Sequence, residues 1–409
     1  MYKCSSRSGE SPLSTVFRRI RKPFALRLLA AVHFVSLFLF WSTNMKQNYK
    51  KKTFTLSSRD LMAISQAKVN FAELTQGRPN IYGLPPLWSK MAYVMVAYPN
   101  GETVKHFWVK YREIIEIAAN RDYYYRRAII PKNGNGLRRL RVPRYELMWH
   151  QRFILKEILR RLPISDHAYA YRKGVSLIDL AAPHVGNKTL LHFDIKDFFH
   201  SIDEQKVFEC LIRETGYTKA VCGFLSRLCC DHGHLPQGAC TSPMLSNICF
   251  KPCDEEIAVL ASQHNLVYTR YSDDIYISGD IEDEIYFRGR IRCILARNGY
   301  QLNSAKTRAL KKHQSQQVTS LVINEKLQVN RAYRRALRQE IYYIKRYRED
   351  ARGARTANSY LEYLYRVQGK IAFVLFVDPE NREFLAAKDF LTHAIDDYQY
   401  RTIPNWTYL

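Results

Sequence analysis

The stretch TRYSDDIYIS, residues 269 to 278, places two aspartates side by side within an apolar, aromatic and β-branched run. Such a run reads as half-buried strand, where an uncompensated carboxylate is costly. Two explanations compete. In the first, Ser272, Asp273 and Asp274 are the turn of a β-hairpin whose strands contain Val267-Tyr268 and Ile275-Tyr276-Ile277. In the second, the carboxylates hold a metal.

A second acidic interruption bears on the choice. In LLHFDIKDFFHSID, residues 190 to 203, Asp194 breaks another apolar strand, expected to run from Thr189 to Phe199, and Asp197 follows three positions later. If that strand lies beside the hairpin, Asp194, Asp273 and Asp274 converge. Three neighbouring carboxylates raise one another's pKa unless cations bind between them. Oxygen ligands of this kind suit Mg²⁺, and two ions about 3.5–4 Å apart would activate a hydroxyl and stabilise departing pyrophosphate.

Other segments fit chemistry on a polyanion. The chain of 409 residues carries 63 Lys+Arg against 38 Asp+Glu, a net +25, so nucleic acid is the expected partner and a membrane surface the less expected one. With 46% hydrophobic residues it can build two or three packed subdomains. YYYRRAIIPKNGNGLRRLRVP, residues 123 to 143, reads as a basic hairpin turning at 133 to 136. LPQGACTSPMLSN, residues 235 to 247, sets Gln237 and Gly238 in a loop entering a helix, with Thr241 or Ser242 as N-cap and Pro243 in the first turn. Gly238 would let the backbone approach a base or sugar, or simply shape the loop. Helices are expected at 104–119, 145–161, from 204, from 243 to 263 and near 283–298, followed by a helical C-terminal third. From Arg331, helical spacing puts Tyr333, Leu337, Ile341 and Ile344 on one face and Arg331, Arg334, Arg335, Arg338, Tyr342 and Lys345 on another, a basic stripe suited to RNA phosphates. The order of elements is α+β with an antiparallel core.

Nine cysteines without a Cys-x-x-Cys pair read as buried thiols in a reducing cytosol. Adjacent Cys229 and Cys230, with His232 and His234, are poor tetrahedral zinc ligands. The apolar segment 24–41 could anchor the chain in a membrane, but a start at Met45 would leave a cytoplasmic protein, the reading that the basic body favours.

Together these motifs resemble reverse transcriptases, and among them the bacterial retron enzymes. DIKDFF, LPQGACTSP and YSDD resemble the family's catalytic and template-gripping motifs, with Cys240 in place of Pro and Ser272 in place of Ala. NSAKT (303–307) matches its Asn-x-x-Lys-Thr element. VTSLVIN (318–324) is similar to the retron Val-Thr-Gly stretch, with Ser320 for Gly, and AAPHVG (181–186) to the Asn-Ala-x-x-His element, with Leu180 for Asn. The resemblance implies a right-hand polymerase: an N-terminal hydrophobic extension (1–44), N-terminal region and fingers (45–188), an antiparallel palm with helices (189–316) and a helical, RNA-binding thumb (317–409). It implies Asp194, Asp273, Asp274 and the Ile195 carbonyl as ligands of two Mg²⁺. Phe199 becomes the gate against a 2′-hydroxyl, and Lys132, Arg138, Gln237 and Gly238 contact the nucleotide. Lys306 becomes a proton donor to pyrophosphate, and His184 an RNA contact. Implied partners are deoxynucleoside triphosphates, a structured noncoding RNA serving as template and primer, its DNA product, and an effector protein in antiphage defence. The alternatives are another bacterial or group II intron-like reverse transcriptase, and a non-catalytic RNA-binding or membrane-anchored protein. No nuclease or zinc module follows the thumb region, which counts against the intron-like alternative.

Overall fold

The computed structural model describes residues 82–84, 87, 90–98, 104–131, 136–351 and 359–402. Segment 24–41, Met45, Cys4, Lys132 and most of the 133–136 turn lie outside them. The described residues form two compact units, one through Gln328 and one from Val329. The expected thumb boundary at 317 falls inside the first unit.

That unit begins with helices α1 (Lys90–Ala97) and α2 (Val104–Ala119), then the hairpin β1 (Tyr125–Pro131) and β2 (Leu137–Pro143). The pair is antiparallel, with Ile130 opposite Arg138 and Arg127 opposite Arg141. Helix α3 (Tyr145–Glu157) follows and closes in a 3₁₀ turn at Leu159–Arg161, before Pro163 forbids continuation. Short α4 (Leu177–Ala181) opens on a Ser176/Asp179 capping box. Strand β3 (Thr189–Asp194) leads to α5 (Glu204–Thr215), α6 (Lys219–Cys229) and the long α7 (Ser242–Gln263). Hairpin β4 (Val267–Tyr271) and β5 (Asp274–Gly279), helix α8 (Glu284–Arg297) and strands β6 (Arg308–Lys311), β7 (Gln317–Val318) and β8 (Leu321–Val322) complete it.

The central sheet is antiparallel in the order β4-β5-β3-β6. Its register decides which side chains share a face. Asp194 pairs with Asp274, His192 with Tyr276 and Leu190 with Ser278, while Tyr276 also pairs with Thr269 of β4. Because strand side chains alternate, these residues line one face. Leu191, Phe193, Ile275 and Ile277 point to the other, where they join one core with Val207 and Leu211 of α5, Leu225 of α6, Phe250 of α7 and Ile291 of α8. The buried thiols belong to the same packing: Cys210, Cys222, Cys229, Cys230, Cys249 and Cys253 are buried, Cys240 is half-buried and Cys293 exposed.

β3 stops five residues earlier than expected. The Ile195 N–H donates to the Asp273 carbonyl (2.9 Å) and the Lys196 N–H to the Gln301 carbonyl (2.8 Å), and the chain turns away with Asp197 at φ +47°. Strands β7 and β8 likewise occupy the start of a stretch expected to be helical, 317–409.

In the second unit, α9 (Arg331–Tyr347) is capped by Asn330, whose side chain accepts from the Ala332 N–H. Helices α10 (Tyr360–Val377) and α11 (Arg382–Thr402) follow, α10 ending just before Pro379 as its sequence demands. Leu337, Ile341 and Ile344 are buried, as the spacing of α9 predicts. No helix among the described residues is long and apolar enough to cross a membrane.

Candidate active site

Residues 272 and 273 form the two-residue turn between β4 and β5, so the hairpin explanation of YSDD holds, and its register carries Asp273 and Asp274 to Asp194. Ser272 opens the turn at φ +59°, a conformation unfavourable for a residue with a Cβ. Its surroundings hold it there: the hydroxyl lies 3.0 Å from the Tyr171 hydroxyl, and the carbonyl accepts from Arg270 Nη1 at 3.0 Å. Arg270 is itself fully buried and paired through Nε and Nη2 with Asp254 at 2.7 Å. Tyr268 donates to the same carboxylate at 2.5 Å. A rigid ionic layer inside the palm thus supports the turn.

Asp194 is buried at 4% exposure. Its Oδ1 accepts from Asn303 Nδ2 (2.8 Å) and its Oδ2 from Lys306 Nζ (2.7 Å), and that second bond holds the Lys306 ammonium above its ordinary value. The Asp273 value rises as well, which for a carboxyl disfavours the charged form. Burial first, then the charges of Asp274 and Asp194, raise its carboxyl above the usual range. Asp274 Oδ1 accepts from His192 Nε2 at 2.7 Å. Since Asp194 faces Asn303 and Lys306 while Asp274 faces His192, each carboxylate has its own donor. A lysine ammonium beside acids that repel one another is the pattern of a site that divalent cations fit.

Among the described residues, only Asp122, Asp231 and His232 form a group of three such ligands with atoms all within 4.8 Å. Arg141 already occupies that group: its guanidinium meets Asp231 at 2.5 and 3.2 Å and Asp122 at 2.5 Å. The same residue ties the basic hairpin to the 235–241 loop, through a backbone bond from the Arg141 N–H to the Gln237 carbonyl of 2.8 Å. Gly238 stands at φ +124° where a Cβ would come 2.8 Å from the Arg141 carbonyl oxygen, so glycine is required by this close approach. Gln237 and Gly238 are exposed at the surface of that loop. Thr241 is the N-cap of α7 but makes no capping bond; Ser242 instead donates to the Pro236 carbonyl at 2.7 Å.

The remaining expected residues divide. Arg138 is exposed on β2. Phe198 is buried against Phe250 and Tyr300 while Phe199 stays half-buried, both in the turn after β3. On α9, Arg331, Arg335 and Lys345 are exposed and Arg334 is half-buried. Arg338, expected on the RNA-facing basic stripe, is bonded twice to Glu383 at 2.5 and 2.7 Å, a partner 45 positions away that helical spacing could not supply. His184, expected to contact RNA, is fully buried, with Nδ1 2.6 Å from Ser278 Oγ and Nε2 2.7 Å from Thr269 Oγ1. That placement corrects the expectation: the ring has no face left for a nucleotide. His192, Asn303, Arg270 and Tyr171 received no role from the sequence. The available signal was His192 itself, a polar residue two positions before Asp194 and hence on its face.

Burial depresses His184 to about 4 and His150, between Tyr93 and Tyr98, to about 3. Unfolding restores ordinary values near 6.5, so the unfolded chain binds more protons in between. Stability is therefore complete above pH 6.5 and falls as pH drops towards 4, by up to ~1.4 kcal/mol per unit for each histidine. Thermal melts from pH 7.5 to 4.5 should show this decline, and His150→Phe should flatten it.

Residues 130–324 match the family described as reverse transcriptase (RNA-dependent DNA polymerase). Among characterised proteins, the chain is similar to the retron Ec86 reverse transcriptase of Escherichia coli, at 31% identity over 268 residues, 64% of this chain and 80% of that one. It is similar to the retron Mx65 reverse transcriptase of Myxococcus xanthus at 32% identity over 281 residues, 63% of this chain and 62% of that one. Among solved structures, a telomerase from Candida albicans in complex with a fragment of telomeric RNA covers 69% of this chain and 64% of its own, at 10% identity and a TM-score of 0.38.

Proposed function

Because this chain belongs to the retron reverse transcriptases and is an RNA-directed DNA polymerase, we propose that Asp194, Asp273 and Asp274, with the Ile195 carbonyl, hold the two Mg²⁺ of its active site. The observation that carries this reading is the register that sets Asp194 against Asp274 beneath a strained, buttressed turn bearing Asp273. When bound, the ions supply activation of the attacking hydroxyl and neutralisation of the pyrophosphate charge.

The chain's own side chains do the rest. Lys306 carries its proton at Nζ, 2.7 Å from Asp194, and is the general acid for departing pyrophosphate. Arg138 and Lys132 of the basic hairpin clamp triphosphate oxygens, Arg138 with a fork suited to bidentate contact. Phe199, half-buried beside the core, presents its ring to the sugar and excludes a 2′-hydroxyl. The Gln237-Gly238 loop supports the template pair, and its bond to Arg141 makes hairpin and loop move together. Arg331, Arg334, Arg335 and Lys345 of α9 carry RNA phosphates; Arg338 contributes after releasing Glu383.

The substrate is a structured noncoding RNA that serves as both template and primer through an internal 2′-hydroxyl, giving a branched RNA–DNA hybrid that works with an effector protein against phage. Purified protein, the folded RNA encoded beside its gene, Mg²⁺ and labelled deoxynucleotides test this. The expected product is DNA covalently joined to RNA, shortened by ribonuclease and released by a 2′-5′ debranching enzyme. Products that extend only an added free primer would contradict the branched mode.

A further inference from the structure

The two stretches that mark the retron subgroup, residues 181–186 and 318–324, meet on the catalytic face of the sheet, in the rows below the carboxylates. The Gly186 N–H donates to the Ile323 carbonyl at 3.0 Å, which joins them. Directly after the first stretch, Asn187 Nδ2 donates to Ser278 Oγ at 2.7 Å. His184 Nδ1 lies 2.6 Å from the same Ser278 Oγ and its Nε2 2.7 Å from Thr269 Oγ1, so one neutral imidazole spans β4 and β5. The second stretch turns tightly between β7 and β8 with Thr319 at φ +54°, which aims the Thr319 N–H at the Tyr276 hydroxyl, 3.0 Å away. Tyr276 is 2% exposed, and its ring stacks on His192 with centroids 4.9 Å apart and planes 10° from parallel. His192 Nε2 in turn donates to Asp274 Oδ1 at 2.7 Å.

We propose that residues 181–187 and 318–324 form one strut that holds the catalytic hairpin in register and, through Tyr276 and His192, fixes the direction in which Asp274 presents its carboxylate. His192 is a positioning residue: it touches a candidate ligand, and its own ring is locked by the stack. A ligand oriented this way loses less freedom on taking up a cation, which is why partners behind metal ligands commonly matter about tenfold or more to metal affinity. The marker motifs thus act through the protein's interior rather than by touching RNA. The proposal rests on the reading of Asp194, Asp273 and Asp274 as one metal site, so the test carries a control for that site.

Four variants are compared with wild type: His192→Phe, which keeps the stack and removes the donor; His192→Gln, which restores a donor; Tyr276→Phe, which removes only the hydroxyl; and Asp273→Asn. Mn²⁺ binding is read by electron paramagnetic resonance on the protein alone, Mg²⁺ half-saturation by DNA synthesis, and RNA affinity by filter binding. His192→Phe should weaken Mn²⁺ binding and raise Mg²⁺ half-saturation, each about tenfold, with RNA affinity unchanged. His192→Gln should recover most of the loss, and Tyr276→Phe should shift both metal readouts in the same direction by less. The strut is overturned if His192→Phe and Tyr276→Phe bind metal like wild type while Asp273→Asn does not, or if their defect lies in RNA affinity alone. Full metal binding and synthesis by Asp273→Asn would instead remove the site assignment beneath it.

Discussion

Asp273→Asn is expected to abolish DNA synthesis while leaving the fold as stable as wild type or more so. The two halves of this result have one cause. In the folded protein, burial and the charges of Asp274 and Asp194 raise the Asp273 carboxyl above its ordinary value, so its charged form opposes folding at neutral pH. Asparagine keeps the shape and removes the repulsion. On the proposed assignment the same charge is what the reaction uses, and losing a metal ligand worth about 4 kcal/mol of transition-state stabilisation costs roughly a thousandfold in rate. Single-turnover incorporation of labelled deoxynucleotide and a thermal melt check both halves. A variant that unfolds, or one that synthesises DNA at the wild-type rate, contradicts the reading.

Asp254→Ala should show the opposite pattern, a large loss of stability at a residue with no chemical role. Asp254 and Arg270 are both fully buried and joined by two bonds of 2.7 Å. Removing one partner leaves an uncompensated interior charge, at a cost of about 3–5 kcal/mol. The guanidinium also holds the Ser272 carbonyl and meets Asn247 Oδ1 at 3.2 Å, so the strained turn loses its support. Denaturant unfolding measures the effect. The double variant Asp254→Leu, Arg270→Met should regain much of the stability, since an apolar pair can replace a buried ion pair. It should not regain full activity, because no guanidinium then reaches the Ser272 carbonyl. Equal activity of the double variant and wild type would show that the turn needs no buttress.

The contrast between these two sites explains what could be read in advance. Asp194, Asp273 and Asp274 were legible because each interrupts an apolar run, and the β-hairpin because turn-forming residues sit between two strand-like segments. The apolar face of α9 was legible from spacing alone. What periodicity cannot carry is the partner of a residue far along the chain. Glu383 for Arg338, Asp254 for Arg270 and Thr269 for His184 lie 45, 16 and 85 positions away. The strand expected to reach Phe199 ends at Asp194 because its backbone donors find the Asp273 and Gln301 carbonyls, a tertiary choice that overrides a continuous apolar pattern. Short β6, β7 and β8 escaped for a related reason: two- to four-residue strands exist only through pairing, and none is long enough to show alternation.

The account stands on three carboxylates from two segments sharing divalent ions. Anomalous diffraction at the manganese edge, from crystals of the protein with RNA, a chain-terminated DNA end and Mn²⁺, locates those ions directly. Peaks between Asp194, Asp273 and Asp274, with Lys306 moved off Asp194, are the predicted result. Manganese found only beside Asp122, Asp231 and His232, with Lys306 still bonded to Asp194, would contradict it.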